Sequence, residues 1–429
     1  MHEYKGYIDR DYVPTKNDLV CEFFMEPAKG LSFENAAQRV ASESSIGTWT
    51  DIGTMTPALF KRLSPKIFSL NSKNGIFKIA YSKELFEEHN IPQILSSVAG
   101  NVFGMSDVKN LKLLDINFPD SFIEHYSGPM YGIGGVRKLL KVAHRPLVGT
   151  IVKPKLGLTE DLHARVAFEA WSGGCDFVKD DENLSSMSFN NFDKRVVKTM
   201  RMKRRAEKET GEVKAYLANV TAPFPEMVRR AKYVMNNGGD FVMVDVLTVG
   251  WSAVQALKDM NFRVVLHGHR AMHAAFTRNP KHGISMLVVA KICRLIGIDQ
   301  LHVGGIVGKM YEGKKEVVAV GEEIEQKIVS ESIFKHRLQE DWHNLKPMLA
   351  VCSGGLSPDK VRPLIHDMGR DIIIQAGGGI HGHPRGTVAG AMALRQAVDA
   401  EMYGILPEEY AKGHKELAEA LKKWKYVKR

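Results

Sequence analysis

Apolar and polar positions follow two rhythms along this chain, and the change falls near Tyr126. Before it the pattern is mixed. Leu19-Val20-Cys21-Glu22-Phe23-Phe24-Met25 reads as a strand. Phe33 to Ser44 places Ala37, Val40 and Ala41 on one side of a helix. Gly75 to Tyr81 alternates like a strand, Ile91 to Val98 is helical, and Leu111 to Phe118 alternates again until Pro119 breaks it. This predicts a small α+β domain over residues 1–125.

After Tyr126 short apolar runs recur: Leu147–Val152, Phe177–Val178, Val213–Leu217, Phe241–Val244, Val264–Leu266, Leu301–Val303, Met348–Val351 and Ile372–Ile374. Helix-length segments such as Glu160–Trp171, Pro225–Met235 and Ile284–Leu295 separate them. Eight β-then-α units over roughly 260 residues fit a (β/α)₈ barrel. The predicted class is therefore α/β, with a barrel domain over 126–429 that ends in a polar helical tail from about Pro407. An open doubly wound sheet is the alternative. It lacks support, because no G-x-G-x-x-G follows the first strand and Gly132-Ile-Gly-Gly is a weak echo.

Barrel chemistry sits at the C-terminal strand ends, so the residues just past each run carry the functional reading. The second run ends in Lys179-Asp180-Asp181-Glu182. Like charges packed together repel, and a hard divalent cation would relieve that repulsion. An isolated cluster of this kind is more often a solvated turn with a surface salt bridge, so the other strand ends decide. They supply Lys153 and Lys155, Asn219, Asp245, then His267, His269 and Arg270 with His273 close behind. His302 and Lys309 follow, then Ser353-Gly354-Gly355 and Gly377-Gly378-Gly379. Polar, cationic or glycine endings on every strand do not arise from packing needs alone. Lys179, Asp181 and Glu182 form a metal corner. The two glycine loops offer bare backbone N–H groups to an anion. Lys153, Lys155, Arg270, His302 and Lys309 add positive charge, which suits a small doubly anionic substrate.

Two superficial motifs fail, one on spacing and one on residue type. Gly304-Gly-Ile-Val-Gly308-Lys309 is one residue short of a P-loop, and Met310 stands where a Mg²⁺-binding hydroxyl belongs. His269 and His273 lack the glutamate of a zinc H-E-x-x-H helix. Phosphate contact and proton transfer suit these histidines better than zinc.

The chain's net charge of +10 could attract nucleic acid, a membrane surface or a polyanionic small molecule. Its densest basic stretches, Lys194–Lys208 and Lys422–Arg429, read as solvated surface, and the strand-end cations explain the balance locally. No nucleic acid or membrane partner is expected. The most apolar window, Gly283–Ile298, contains Lys291 and Arg294 and is too short and too charged to cross a bilayer. Cys21, Cys175, Cys293 and Cys352 are far apart and read as reduced thiols of a cytoplasmic protein. No signal peptide is visible in the polar start Met-His-Glu-Tyr-Lys-Gly.

These residues resemble a known family, the large subunit of ribulose-1,5-bisphosphate carboxylase/oxygenase (Rubisco). The motifs are Gly149-Thr-Ile-Val-Lys153-Pro-Lys155-Leu-Gly, Gly174-Cys-Asp-Phe-Val-Lys179-Asp-Asp-Glu-Asn, His269-Arg-Ala-Met-His273, His302 through Gly308-Lys309, Ser353-Gly-Gly and Gln375-Ala-Gly-Gly-Gly379. Glu43-Ser-Ser-Ile-Gly-Thr48-Trp49 and Gly100-Asn101-Val-Phe-Gly add the N-terminal half. The likeness spans about residues 20 to 400. It implies a ferredoxin-like α+β domain before a TIM barrel.

The resemblance also implies roles. Lys179 would be carbamylated by an activating CO₂, giving an anionic ligand that holds Mg²⁺ with Asp181 and Glu182. The carbamate would take the C3 proton of ribulose bisphosphate. Lys153 would be general acid/base near C2, His269 would shuttle the O3 proton, and Lys309 would close over the site and hold the CO₂-derived carboxylate. Arg270, His302, Ser353, Gly377 and Gly378 would grip the phosphates, Gly354 and Gly355 would also bind substrate, and Lys155 would support the metal ligands and Lys153. Glu43, Thr48, Trp49 and Asn101 would come from a neighbouring subunit, making a homodimer the minimum active unit, with higher assemblies of dimers open. The expected reaction joins ribulose bisphosphate, CO₂ and water into two 3-phosphoglycerates, with O₂ competing.

Rubisco-like proteins lose several of these residues and catalyse only enolisation or isomerisation, which is the alternative activity. Here each position is of the carboxylase type. The short tail, Gly304-Gly305 and Lys309-Met310 resemble the archaeal type III group, which lacks small subunits and is linked to AMP and nucleoside salvage. Ile46, Val303-Gly-Gly305 and Ala376 depart from the plant-type pattern without removing a charged group.

Overall fold

The computed structural model describes residues 6–50, 52–306 and 313–424, arranged as two compact units. The first unit runs to Ser127 and takes in two later stretches, 272–295 and 326–345, which the sequence reading counted with the second domain. Its five-stranded sheet has the order Gly283–Ile284, Val108–Asn117, Asp18–Pro27, Ile76–Ser82, Lys66–Asn71. All neighbours are antiparallel except the first pair. Phe23 stacks on Phe77 at 5.3 Å between ring centroids, and Phe33 of the helix Phe33–Glu43 meets Phe77 edge-on. That helix begins at Ser32, whose hydroxyl accepts from the Asn35 N–H.

The apolar window 283–298 is divided differently from the reading of one helix. Gly283–Ile284 pairs in parallel with Val108–Asn117, and the helix starts at Met286. Gly283, the first residue of that short strand, has φ of +104°, a conformation that glycine adopts at no steric cost. The two charges in this window are fully buried. Lys291 Nζ lies 2.9 Å from Asp115 Oδ1 and 3.4 Å from Glu340 Oε2, while Arg294 donates to the Gln326 carbonyl and stacks over Trp342. Buried charges persist where they are paired in this way.

The second unit contains a closed barrel of eight parallel strands: Leu147–Ile151, Phe177–Lys179, Ala215–Asn219, Phe241–Asp245, Val265–His269, Gln300–Gly304, Leu349–Ser353 and Ile372–Gln375. Hydrogen bonding between the fifth and sixth strands closes it. All eight strands read from the sequence are present. Most run further toward the C-terminus than their apolar stretch, because backbone pairing continues into polar residues. Leu147, Phe177, Leu217, Met243, Val265, Val351 and Ile373 form the inner core, and Val136 and Leu140 of the helix Gly132–Leu140 pack with them. Successive inward residues lie two apart on a strand. Lys179, Asn219, Asp245, His267, His269, Ser353 and Gln375 therefore continue the core-facing rows toward the C-terminal mouth. The fold thus converts a packed interior into a polar floor within one strand length.

The basic stretch lies on the helix Phe192–Thr210, and the tail carries helices Pro407–Tyr410 and Lys415–Trp424. All four cysteines are free and buried. Among the described residues no helix is long and apolar enough to cross a membrane.

Candidate active site

The second barrel strand ends in Lys179, whose side chain is fully buried. Its Nζ donates to the Asp180 carbonyl at 2.8 Å, contacts Met243 Sδ at 3.0 Å and lies 3.7 Å from Glu182 Oε2. Burial lowers its pKa, against the pull of Glu182, Asp245, Asp181 and Asp180. Burial favours the uncharged form of an amine.

The three following acids do not act together. Asp180 points outward, as strand alternation requires. It accepts from Tyr216 Oη, Arg195 Nε and the Asn219 N–H at 2.7, 3.1 and 3.0 Å, and His163 Nε2 lies 3.0 Å away. Asp181 turns to the mouth. Its Oδ2 accepts from Lys153 Nζ at 2.6 Å and its Oδ1 from Asn183 Nδ2 at 3.0 Å. Burial works against ionisation of Asp181, but Lys153 and Asn183 outweigh it and hold the carboxyl below its usual range. Glu182 is held low in the same way, with Lys179 and His269 overcoming burial, and Lys155 Nζ lies 3.9 Å from its Oε1. The charge puzzle of the sequence is thus resolved in two ways: one carboxylate leaves the cluster, and cations neutralise the other two.

Across the barrel, His269 Nδ1 lies 2.8 Å from Asp245 Oδ1, and its Nε2 is 3.7 Å from Glu182 Oε2. The Ala271 N–H also approaches Nδ1, at 3.2 Å, but the shorter contact with a carboxylate favours the proton on Nδ1 and leaves Nε2 as the basic nitrogen. The His302 ring packs against His269 and His267 at centroid distances of 4.7 and 4.9 Å. Both His302 nitrogens are engaged, with His267 and with Ser353.

Glycines let the anion loops converge. A Cβ on Gly304 (φ +111°) would stand 2.9 Å from Arg270 Nη2, so the guanidinium can lie over this strand end. A Cβ on Gly379 would stand 2.1 Å from the Leu356 carbonyl, which ties the Gly377 loop to the one carrying Ser353, Gly354 and Gly355. Gly377 borders the Lys153 side chain, and Gly378 faces open space.

In the first unit, Asn101 Nδ2 donates to Glu43 Oε1 at 3.3 Å. Thr48 and Trp49 follow the helix that ends at Glu43, and Trp49 is 80% exposed. Lys309 lies outside the described residues. The barrel thus brings together Lys153, Lys179, Asp181, Glu182 and His269, with Lys155 at the rim. Asp245 and His267, which the sequence reading placed at strand ends without a residue-specific role, join this polar floor, as do Gln300 and Gln375, to which it gave no role. The signal for Asp245, His267 and Gln375 was the two-residue spacing from Met243, Val265 and Ile373. Both amide atoms of Gln375 are buried without a hydrogen-bond partner among the described residues, which suits an amide waiting for a ligand.

Asp181 and Glu182 are hard oxygen donors suited to Mg²⁺. Among the described residues, no three His, Cys, Asp or Glu side chains stand ready for a metal. The corner fits an ion only if Lys179 becomes a third oxygen donor.

Residues 6–122 match the family model of the ribulose bisphosphate carboxylase large chain, N-terminal domain, and residues 132–424 match that of its catalytic domain. The ribulose bisphosphate carboxylase of Methanosarcina acetivorans is 50% identical over 423 residues, 98% of this chain and 99% of the relative. That of Methanocaldococcus jannaschii is 48% identical over 426 residues, 98% and 100% of the two. A dimeric archaeal Rubisco from Hyperthermus butylicus superposes with a TM-score of 0.93 at 45% identity, covering 99% of this chain and 100% of that one. An octameric Rubisco from Pyrococcus horikoshii, in complex with sulfate ion, gives 0.91 at 44%, covering 100% and 98%.

Proposed function

The chain belongs to the ribulose bisphosphate carboxylase large-chain family, and on that premise we propose that it carboxylates D-ribulose 1,5-bisphosphate with CO₂ and water to two 3-phospho-D-glycerates. The observation that carries this reading is the buried Lys179 amine, 3.7 Å from Glu182 in a corner one oxygen short of a metal site. An uncharged amine is a nucleophile. Lys179 Nζ adds to activating CO₂, forms an N–C bond and releases a proton. The resulting carbamate, with Asp181 and Glu182, would hold Mg²⁺. When bound, that ion supplies Lewis-acid stabilisation of oxyanion charge.

The chain's own groups do the proton work. A carbamate oxygen on Lys179 takes the C3 proton. Lys153, whose ammonium is held at Asp181, serves the oxygen at C2 as acid and base. His269, oriented by Asp245, moves the O3 proton through Nε2. Arg270, His302, Ser353, Gly354, Gly355, Gly377 and Gly378 bind the phosphates, and Lys155 supports the metal ligands. Lys309 holds the new carboxylate. Loss of the C3 proton also opens the substrate to O₂, so oxygenation competes.

Glu43, Thr48, Trp49 and Asn101 complete the site from a second copy, which gives the exposed Trp49 ring a partner surface. The dimeric and octameric relatives support a homodimer or an assembly of dimers, and no small subunit is expected. The likeness to archaeal relatives supports a type III enzyme, for which AMP or nucleoside salvage would supply the substrate.

The deciding test is ¹⁴CO₂ fixation into acid-stable product with ribulose bisphosphate, after preincubation with and without Mg²⁺ and bicarbonate. Fixation that requires both is expected, and Lys179→Ala should abolish it. C3 proton exchange without fixation would replace this reading with a non-carboxylating enolase or isomerase.

A further inference from the structure

Below the barrel mouth, four side chains from three adjacent strands form one hydrogen-bonded row. Gln300 Oε1 lies 2.8 Å from His267 Nδ1, His267 Nε2 lies 2.9 Å from His302 Nε2, and His302 Nδ1 lies 2.8 Å from Ser353 Oγ. Gln300 and His267 are fully buried and His302 nearly so. Burial drives the His267 pKa down to about 3, against the Gln300 hydrogen bond that favours the charged ring. Burial also holds His302 well below its usual value, with help from His269 and His267. Both rings are therefore neutral near pH 7.

A neutral imidazole has one N–H and one lone pair, so each ring donates on one side and accepts on the other. Only two arrangements of the row satisfy every contact. In the first, His267 donates to Gln300 Oε1, His302 donates to His267, and the Ser353 hydroxyl donates to His302. Ser353 then offers only lone pairs to the mouth. In the second, the Gln300 amide is turned over and its Nε2 donates to His267. Then His267 donates to His302, His302 donates to Ser353 Oγ, and the Ser353 proton faces outward. A phosphate group offers acceptors, so it is met by the second arrangement and repelled by the first. The two share the same heavy-atom positions. In the first, Gln300 Nε2 is left buried with no hydrogen-bond partner among the described residues. The turned amide would leave its oxygen there instead, so the row holds no strong internal bias and a ligand can select its direction.

We propose that Gln300 and His267 are positioning residues that set the hydrogen-bond direction of His302 and Ser353, so that the Ser353 hydroxyl donates to a phosphate group of the substrate. This rests on the reading of Ser353 as a phosphate ligand. It adds two buried residues, remote from the substrate, to the determinants of its affinity.

Gln300→Glu is the informative variant. Its carboxylate can only accept, which locks His267 Nδ1–H onto it and fixes the first arrangement. The KM for ribulose bisphosphate should rise about tenfold or more, the scale of one hydrogen bond to a charged group, with a smaller change in kcat. Gln300→His, which can donate or accept, should recover most of the loss. The effect should also be absent in a Ser353→Ala background, because the row then ends without a hydroxyl to direct. Equilibrium binding of inorganic phosphate, compared between wild type and Ser353→Ala, reads the same site without turnover. Unchanged phosphate binding in Gln300→Glu, or additive effects of Gln300→Glu and Ser353→Ala, would overturn the proposal. If Gln300→Glu does not fold, Gln300→Leu with Ser353→Ala gives the same cycle, and zero coupling overturns it. Failure of the wild type to fix CO₂ while phosphate coupling persists would refute the carboxylase reading alone.

Discussion

Lys153 Nζ and Asp181 Oδ2 are 2.6 Å apart, so the ends of the first and second barrel strands are joined by an ion pair at the proposed metal corner. Asp181 is buried while Lys153 is partly exposed. The ammonium occupies one oxygen that a cation would use, and it repels that cation. Lys153→Met should therefore strengthen equilibrium binding of Mn²⁺ or Mg²⁺ by a few fold at fixed bicarbonate. The same variant should lose C3 proton exchange by roughly 10²-fold or more, the usual scale for a general acid–base group. Weaker metal binding in the variant would show that Lys153 supports the ion rather than competing with it.

Asp245 lies 2.8 Å from His269 Nδ1 and accounts for that ring's orientation. Asp245→Asn retains the shape but can donate to Nδ1, moving the ring proton to Nε2, where the base is needed. C3 proton exchange and kcat should fall by roughly 10²-fold or more, with KM for ribulose bisphosphate changed far less. A matching rise in KM with kcat retained would assign Asp245 to substrate binding instead.

The eight strands were legible because parallel barrel strands are buried on both faces and read as short apolar runs. Their ends were not, because Lys179, Asn219, Asp245 and Ser353 look like loop residues until closure gives them pairing partners. Lys66–Asn71 escaped for a related reason. At the sheet edge, it pairs along its length with Ile76–Ser82 and meets a single bridge from Ile8 at Ile67 on the other side, which leaves the alternation weak. The local cluster 179–182 announced a site, yet only the strand's alternation shows that Asp180 leaves it. The row from Gln300 to Ser353 depends on neighbours set by barrel order, and no spacing along the chain reports that order.

Gly379 is where two glycine loops touch. Gly379→Ala would set a Cβ 2.1 Å from the Leu356 carbonyl, and backbone on both sides must move. The cost should be about 1–3 kcal/mol of stability, as for other overpacked sites. The larger effect should be on KM for ribulose bisphosphate, since Gly377 and Gly378 shift away from the Ser353 loop. Thermal melting and steady-state kinetics on one preparation separate the two. Unchanged KM with a lowered melting temperature would mean that the loops adjust without losing phosphate contacts.

Asp180 shows how the same acidic cluster also stabilises the barrel. Burial alone would raise its pKa, but Arg195, His163 and the Asn219 N–H reverse that and hold it well below the carboxylate range. A carboxyl depressed in the folded state contributes stability that is complete above its unfolded pKa of about 3.9 and lost as pH falls toward the folded value. Asp180→Asn leaves the Arg195 guanidinium buried beside a neutral amide. It should cost about 3–5 kcal/mol in urea unfolding at pH 7, as for a broken buried ion pair. The difference from wild type should hold steady down to about pH 4 and then narrow, because below it the unfolded wild-type chain takes up a proton that the folded carboxylate does not. A difference that stays constant through the acid range would mean that Asp180 stabilises the strand through shape and hydrogen bonds rather than charge.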